Sequence, residues 1–190
     1  AKELASLADV YINDAFGTSH RAHASTYGVA QFFKGNKYCG LLLEKEISRL
    51  NSIFKTPSRP FTAVIGGAKI SGKIDILLSL LNSVDKLIIG GGMAYTFIAA
   101  KKGKVGRSLV EENKIKAALE IIKKAKENNV GLILPLDSVN SISLKDQLAS
   151  SVSEINKIPA NEMGLDIGPK SIDLFNKEVL SSKTILWNGP

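Results

Sequence analysis

The sequence predicts an α/β fold with a parallel sheet covered by helices, and three observations point to it. From Arg59 onward, short and continuously apolar runs alternate with longer stretches of helical periodicity. Strands that are apolar throughout, rather than at every second residue, belong to sheets buried on both faces. Glycines also fall directly after the apolar runs, at Gly66-Gly67, at Gly90-Gly91-Gly92 and at Gly189. In parallel sheets ligands sit at the carboxyl ends of strands, where glycine lets a ligand approach the backbone closely. Any one of these turns alone reads as an ordinary tight turn; together they favour a binding cleft.

Before Arg59 the pattern differs. Val10-Tyr-Ile-Asn-Asp-Ala-Phe16 reads as a strand running into a loop that holds Gly17, His20, Arg21 and His23. A helix is predicted over 41–54, with Leu42, Leu43, Ile47, Leu50 and Phe54 on its apolar side. The breaker-rich stretch Lys55-Thr-Pro-Ser-Arg-Pro60 then forms a joint. Helix and joint read as a connection between two units, the first of which is too short to fold alone.

Phe61-Thr-Ala-Val-Ile-Gly66 is the first strand of the larger unit. A helix over 70–84 follows, with Ile74, Leu77, Leu78 and Leu81 on one face. Lys86-Leu-Ile-Ile-Gly-Gly91 is the second strand, and a helical stretch runs from Met93 to about Lys102. The clearest helix covers 110–129, with Ile115, Ala118, Leu119, Ile122 and Ala125 as its stripe and Asn128-Asn129 at its end. Gly131-Leu-Ile-Leu-Pro-Leu136 is the third strand, followed by a polar segment to about Lys157 with room for short strands or a hairpin. After Gly168-Pro169 a helix carries Ile172, Phe175 and Val179, with proline at its first turn, where a missing N–H costs nothing. Lys183-Thr-Ile-Leu-Trp187 is the last strand. The assembled pattern is a Rossmann-like parallel sheet flanked by helices.

Composition narrows the function classes. Of the 190 residues, 44% are hydrophobic and 23% charged, ordinary values for a globular chain. No apolar run reaches the roughly 18 residues that a membrane-spanning helix needs. The N-terminus lacks the layout of a signal peptide, and it lacks an initiator Met, so the true start is expected elsewhere. The single cysteine, Cys39, excludes an internal disulfide and a multi-cysteine metal site, and fits a reducing compartment. The formal net charge of +7 suits nucleic acid, an anionic membrane or small anionic substrates. The lysines are scattered rather than clustered with aromatics, so a nucleic-acid groove is not supported. A solvated basic surface and a site for phosphate-bearing metabolites both remain.

Gly67-Ala-Lys-Ile-Ser-Gly72-Lys73-Ile74 has the G-x-x-x-x-G-K spacing of a phosphate-binding loop. Ile74, however, stands where a hydroxyl should hold magnesium, and magnesium needs oxygen ligands. The ordinary P-loop reading is therefore rejected. What survives is a strand, a glycine pair and two lysines four residues apart; Lys69 and Lys73 face one way if the helix has begun by Lys69. Beside free N–H donors, two ammonium groups make a phosphate site; two solvated surface lysines are the plainer alternative. Gly90-Gly-Gly92-Met-Ala-Tyr95 is no dinucleotide fingerprint, because Tyr95 occupies its last position. This disfavours a nicotinamide-dependent dehydrogenase.

His20 and His23 are the only histidines, too few for a usual zinc site. No G-x-S-x-G elbow supports a serine nucleophile. In the loop His20-Arg21-Ala-His23, Arg21 can grip a carboxylate or phosphate bidentately, with His20 adding a donor. A polar loop without a ligand reads the same residues equally well.

Taken in order, six segments resemble the phosphoglycerate kinase family over nearly the whole chain. They are Asn13-Asp-Ala-Phe-Gly-Thr-Ser-His-Arg-Ala-His-Ala-Ser25, Ile65-Gly-Gly-Ala-Lys69, Ile88-Ile-Gly-Gly-Gly-Met-Ala94, Leu134-Pro-Leu-Asp137, Gly164-Leu-Asp-Ile-Gly-Pro169 and Leu186-Trp-Asn-Gly-Pro190. The resemblance implies an internal fragment. Residues 1–38 would be a remnant of a second α/β domain, the 3-phosphoglycerate-binding one; 39–58 the interdomain helix and joint; and 59–190 part of the nucleotide-binding domain.

It further implies reversible phosphoryl transfer from 1,3-bisphosphoglycerate to ADP, giving 3-phosphoglycerate and ATP, with Mg2+. Lys69 would neutralise the phosphoryl group in transit, and Lys73 would reach the nucleotide phosphates. Gly67, Ala68, Gly91 and Gly164 would line the nucleotide, with Asn188 and Gly189 beside its sugar and phosphates. His20 and Arg21 would contact the sugar acid. Gly72 departs from the family, many members of which carry an acid there. The family's opening substrate motif, its magnesium-binding loop and its ribose-reading acid are expected outside this chain. The resemblance implies a cytoplasmic, monomeric parent, with no nucleic-acid or membrane partner. The isolated chain is expected to be inactive, and a non-catalytic nucleotide-binding fragment is the alternative.

Overall fold

The computed structural model describes residues 1–145 and 151–189. The chain divides into two units, Ala1–Pro57 and Ser58–Pro190. In the first, a short helix α1 (Lys2–Ala5) precedes β1 (Tyr11–Asn13), which pairs in parallel with β2 (Lys37–Cys39). β1 is shorter than the strand predicted over 10–16. The Asn13 side chain turns back to accept the Ala15 amide at 3.0 Å and ends the ladder. Asp14 then accepts the Leu43 amide at 2.8 Å, capping α2 (Leu41–Lys55) from outside the helix. Tyr11 stacks on Phe33, with ring centroids 5.7 Å apart. Of the apolar side predicted for α2, Leu43 is buried, while Leu42, Ile47, Leu50 and Phe54 are exposed. A fifteen-residue helix has more apolar surface than the two three-residue strands and the turns of this unit can cover.

The second unit is built on a four-stranded parallel sheet. Its strands are β3 (Phe61–Ile65), β4 (Lys86–Ile89), β6 (Gly131–Ile133) and β11 (Thr184–Asn188). Phe61, Ala63, Ile65, Leu87, Ile88 and Ile89 are fully buried, as continuously apolar strands require. β3, β4 and β6 step in one direction across the sheet, whereas β11 returns to the far side of β3. Right-handed crossovers therefore place α3 (Ile74–Leu80), α4 (Met93–Ala100) and α5 (Ile115–Glu127) on one face and α6 (Pro169–Leu180) on the other. Thr62 and Lys86, register partners on one face, both meet the end of α6. Thr62 bonds the Ser182 hydroxyl at 2.6 Å, and Lys86 pairs with Glu178 at 2.5 Å.

Three predicted elements are corrected. The helix over 70–84 begins only at Ile74, because residues 70–73 form a turn in which the Lys73 amide donates to the Ile70 carbonyl at 2.8 Å. Ile70 fits the apolar spacing of a helix but is buried by that turn instead. The strand over 131–136 stops at Ile133, before the proline. The helix over 110–129 spans Ile115–Glu127, preceded by a 3-10 turn at Glu112–Lys114. It buries Ala118, Ile121 and Ala125, whereas Leu119 is 45% exposed.

The polar segment after Leu136 forms β7 (Asp137–Ser141) and β8 (Ser151–Glu154), which pair antiparallel; residues 146–150 of that segment lie outside the described residues. β10 (Met163–Ile167), unassigned from sequence, pairs with the other side of β7. β5 (Lys104–Val105) and β9 (Lys157–Ile158) pair in parallel over a small core of Tyr95, Ile98, Val105, Ile155 and Ile158.

α6 starts at Gly168-Pro169 as predicted, and its first turn is held by Asp137. The Asp137 carboxylate accepts the Lys170 amide at 3.0 Å, the Ser171 amide at 2.8 Å and the Ser171 hydroxyl at 2.5 Å. Burial pushes this carboxyl up, but the Ser171 and Lys170 hydrogen bonds and the Lys170 charge outweigh it and hold the group below its usual range. A depressed carboxyl contributes stability above the ordinary carboxylate range and loses it as pH falls through the folded value. Asp137→Ala is expected to cost about 2–3 kcal/mol at neutral pH, since it leaves two amides and a hydroxyl without their acceptor. Urea unfolding at pH 7 and pH 3 checks this: the difference from the parent chain should shrink at pH 3.

Candidate functional site

Because β11, β3 and β4 are neighbours and parallel, the turns after them meet on one edge of the sheet. The Gly66 amide donates to the Asn188 carbonyl at 3.0 Å, the Gly90 amide to Ile65 at 2.9 Å and the Met93 amide to Gly67 at 2.9 Å. Backbone meets backbone along this rim. A Cβ on Gly91 would lie 2.7 Å from the Gly67 carbonyl oxygen, and one on Gly189 would lie 2.4 Å from that of Gly66. Both glycines also have positive φ, +67° and +125°. The glycines thus let the strand ends touch one another, a reason distinct from the ligand access that sequence suggests. The direction of chain progression reverses between β3 and β11, so the crevice outside their carboxyl ends is a topological switch point, where open α/β sheets bind ligands.

Lys73 crosses this switch point, its ammonium donating to the Asn188 side-chain oxygen. Lys69 lies in the turn before α3, exposed to solvent. Since α3 starts at Ile74, the two lysines do not share a helical face; the predicted i, i+4 arrangement is replaced by a turn with Lys73 tied to β11. Nor are all the amides there free. The Glu111 carboxylate accepts the Ser71 amide at 3.0 Å, and the neighbouring Ile70 amide also favours its charged form. Burial would raise the Glu111 carboxyl, but the Ser71 hydrogen bond, the nearby Ile70 amide and the Lys69 charge hold it below its usual value. Sequence reading missed Glu111, which lies forty positions beyond Ser71 with no motif to mark it.

Gly67, Ala68, Gly91, Asn188 and Gly189 therefore come together on the rim, with Gly92 beside Ala68. Gly164 lies elsewhere, on β10. Its amide donates to the Ser108 hydroxyl at 2.9 Å, and its Cα faces Tyr95 and Ser138. Tyr95 belongs to α4, the helix that starts from the rim, so Gly164 connects to the rim through that helix.

In the first unit, Arg21 lines an open pocket of about 350 Å³ with Asn13, Lys37, Tyr11, Tyr27 and Tyr38. The Arg21 Nε donates to His20 Nε2 at 3.2 Å, so here the imidazole accepts from its neighbour. Among the described residues no group of three or more His, Cys, Asp or Glu is placed to hold a metal ion. No helix among them is long and apolar enough to cross a membrane.

The family model for phosphoglycerate kinase matches residues 1–190. The chain is 50% identical over 190 residues to the phosphoglycerate kinases of Dictyoglomus turgidum and Clostridium tetani, covering all of this chain and 48% and 47% of those proteins. To that of Chlorobium phaeobacteroides it is 47% identical, covering 48% of it. The chain thus spans about half the length of the curated relatives it matches. Among solved structures, phosphoglycerate kinase from Coxiella burnetii superposes with a TM-score of 0.88 at 41% identity, over all of this chain and 48% of its own. The enzyme from Pyrococcus horikoshii, at 24% identity and a TM-score of 0.79, shares the fold. A parallel sheet with a glycine rim at its switch point, and a family match from end to end, place this chain in the phosphoglycerate kinase family.

Proposed function

We propose that this chain supplies the nucleotide-phosphate side of a phosphoglycerate kinase, which moves a phosphoryl group between 1,3-bisphosphoglycerate and ADP. The observation that carries this reading is the switch-point rim, where Lys73 reaches Asn188 across the ends of β3 and β11. In this reading Lys69 neutralises the charge of the phosphoryl group in transit, and Lys73 holds a nucleotide phosphate. An ammonium has three donors, so the bond to Asn188 leaves Lys73 two for phosphate oxygens. Gly67, Ala68, Gly91 and Gly164 line the nucleotide, with Asn188 and Gly189 beside its sugar and phosphates. His20 and Arg21 take the sugar-acid side, where a guanidinium suits carboxylate or phosphate.

Phosphoryl transfer asks a protein mainly for positioning and charge neutralisation, which lysines and backbone amides can provide. The rim does not fit magnesium. That ion needs oxygen ligands, whereas the rim offers ammonium groups and amides, and the side-chain oxygen of Asn188 is taken by Lys73. The ligands of the metal are expected in the rest of the parent protein. A cytoplasmic, monomeric parent belongs to the same reading.

Titrating the 190-residue chain with ADP, and separately with 3-phosphoglycerate, tests the proposal. ADP is expected to bind, and turnover of the two together is expected to be negligible, because positioning both substrates needs both domains. Absence of ADP binding defeats the nucleotide-side reading, and near-normal turnover defeats the claim that the rest of the parent is needed.

A further inference from the structure

The turn over 67–73 carries both lysines, yet no helix holds it until Ile74. Something else must set its shape. The Ser71 amide donates to the Glu111 carboxylate at 3.0 Å, with the preceding Ile70 amide also favouring the charge, much as turn backbone can hold an anion. Here the anion is the chain's own. Glu111 is fixed from behind, its amide donating to the Thr96 hydroxyl at 3.2 Å, and Thr96 is 1% exposed on α4. Val110, just before it, packs against the small core beneath α4, and the turn leading into α5 starts just after it, at Glu112. Ile70, fully buried, pins the middle of the turn from the other side.

We propose that Glu111 is a positioning residue, a latch that ties the turn carrying Lys69 and Lys73 to α4 and α5 and so presents both ammonium groups to a phosphate-bearing ligand on the glycine rim. The inference rests on the nucleotide-side reading given above. A latch of this kind has two opposed effects on an anionic ligand. By ordering the turn it strengthens binding, since groups held in place beforehand lose less freedom on association. As a negative charge close to Lys69 it weakens binding. Glutamine separates the two, because it keeps an acceptor oxygen at the same reach without the charge.

The test compares ADP binding to the 190-residue chain with its Glu111→Gln and Glu111→Ala variants by calorimetry. Glu111→Gln is expected to bind at least as tightly as the parent chain, and Glu111→Ala about 5-fold or more weaker than Glu111→Gln, the effect of one lost hydrogen bond. Equal affinity of the two variants overturns the latch, whether or not both differ from the parent. Should Glu111→Ala fail to fold, Glu111→Asp makes the same comparison, since it keeps the charge but is one methylene too short; binding equal to the parent's overturns the proposal. If the parent chain does not bind ADP at all, the nucleotide-side reading has failed, and hydrogen exchange at the Ser71 amide judges the latch alone. That amide should be protected in the parent chain and in Glu111→Gln, and exchange about tenfold or more faster in Glu111→Ala or Glu111→Asp, as for loss of one hydrogen bond. Unchanged exchange overturns the latch.

Discussion

Replacing Lys69 by alanine in the full-length parent is expected to lower kcat about 10²–10³-fold while leaving KM for both substrates within about threefold. The effect is electrostatic. Lys69 is exposed on the turn after β3, and the negative group near it, Glu111, directs its hydrogen bond to the Ser71 amide. In the proposed role its ammonium meets charge that develops only as the phosphoryl group leaves one oxygen for another. A group that acts only in the transition state lowers kcat and kcat/KM alike when removed. Steady-state kinetics with 1,3-bisphosphoglycerate and ADP measure this. A large rise in KM at unchanged kcat would instead make Lys69 a ground-state binder. Lys73, tied to Asn188, is the residue from which that KM effect is expected.

Gly91→Ala is expected to destabilise the second unit by about 3 kcal/mol or more. Two costs combine. At φ +67° an alanine adopts the left-handed region at about 1–2 kcal/mol. Its Cβ would also stand 2.7 Å from the carbonyl oxygen and 2.8 Å from the amide nitrogen of Gly67. Both neighbours are backbone, so relief requires the ends of β3 and β4 to part. That separation would strain the Met93–Gly67 hydrogen bond, which joins α4 to the turn after β3. Gly72→Ala is the control. A Cβ there meets nothing within 4 Å, and its effect on stability is expected within about 0.5 kcal/mol. Urea denaturation of the two variants beside the parent chain decides the matter; equal midpoints would mean that the rim is looser than these contacts require.

Much of the fold could be read from the chain because its main determinants are local or periodic. Phe61-Thr-Ala-Val-Ile65 and Lys86-Leu-Ile-Ile89 are apolar at successive positions, and such runs are stable only as inner strands covered on both faces. Pro169 after Gly168 marks the start of α6 through a missing donor and a preset φ. The glycines after β3, β4 and β11 mark the rim, and the order of the motifs along the chain marks the family. The turn over 70–73 was not legible in the same way. Ile70 and Ile74 have the spacing of a helical face, and periodicity cannot separate a residue buried by a helix from one buried by a turn.

Contacts between distant segments escaped for a related reason. Glu111 meets Ser71, Lys73 meets Asn188, and Asp137 meets Ser171 across 40, 115 and 34 positions. Side-chain hydrogen bonds of this kind leave no periodic trace, because each depends on where two elements come to rest. Strand order belongs with them: nothing in the run Thr184-Ile-Leu-Trp-Asn188 says that it will lie beside β3 rather than β6. Residue types and their spacing were enough for the layers and the glycine ends, since hydrophobic burial and backbone preference act over a few neighbouring residues. Long-range packing alone put β11 against β3, and with it created the switch point, the reach of Lys73 to Asn188 and the hold of Glu111 on the turn.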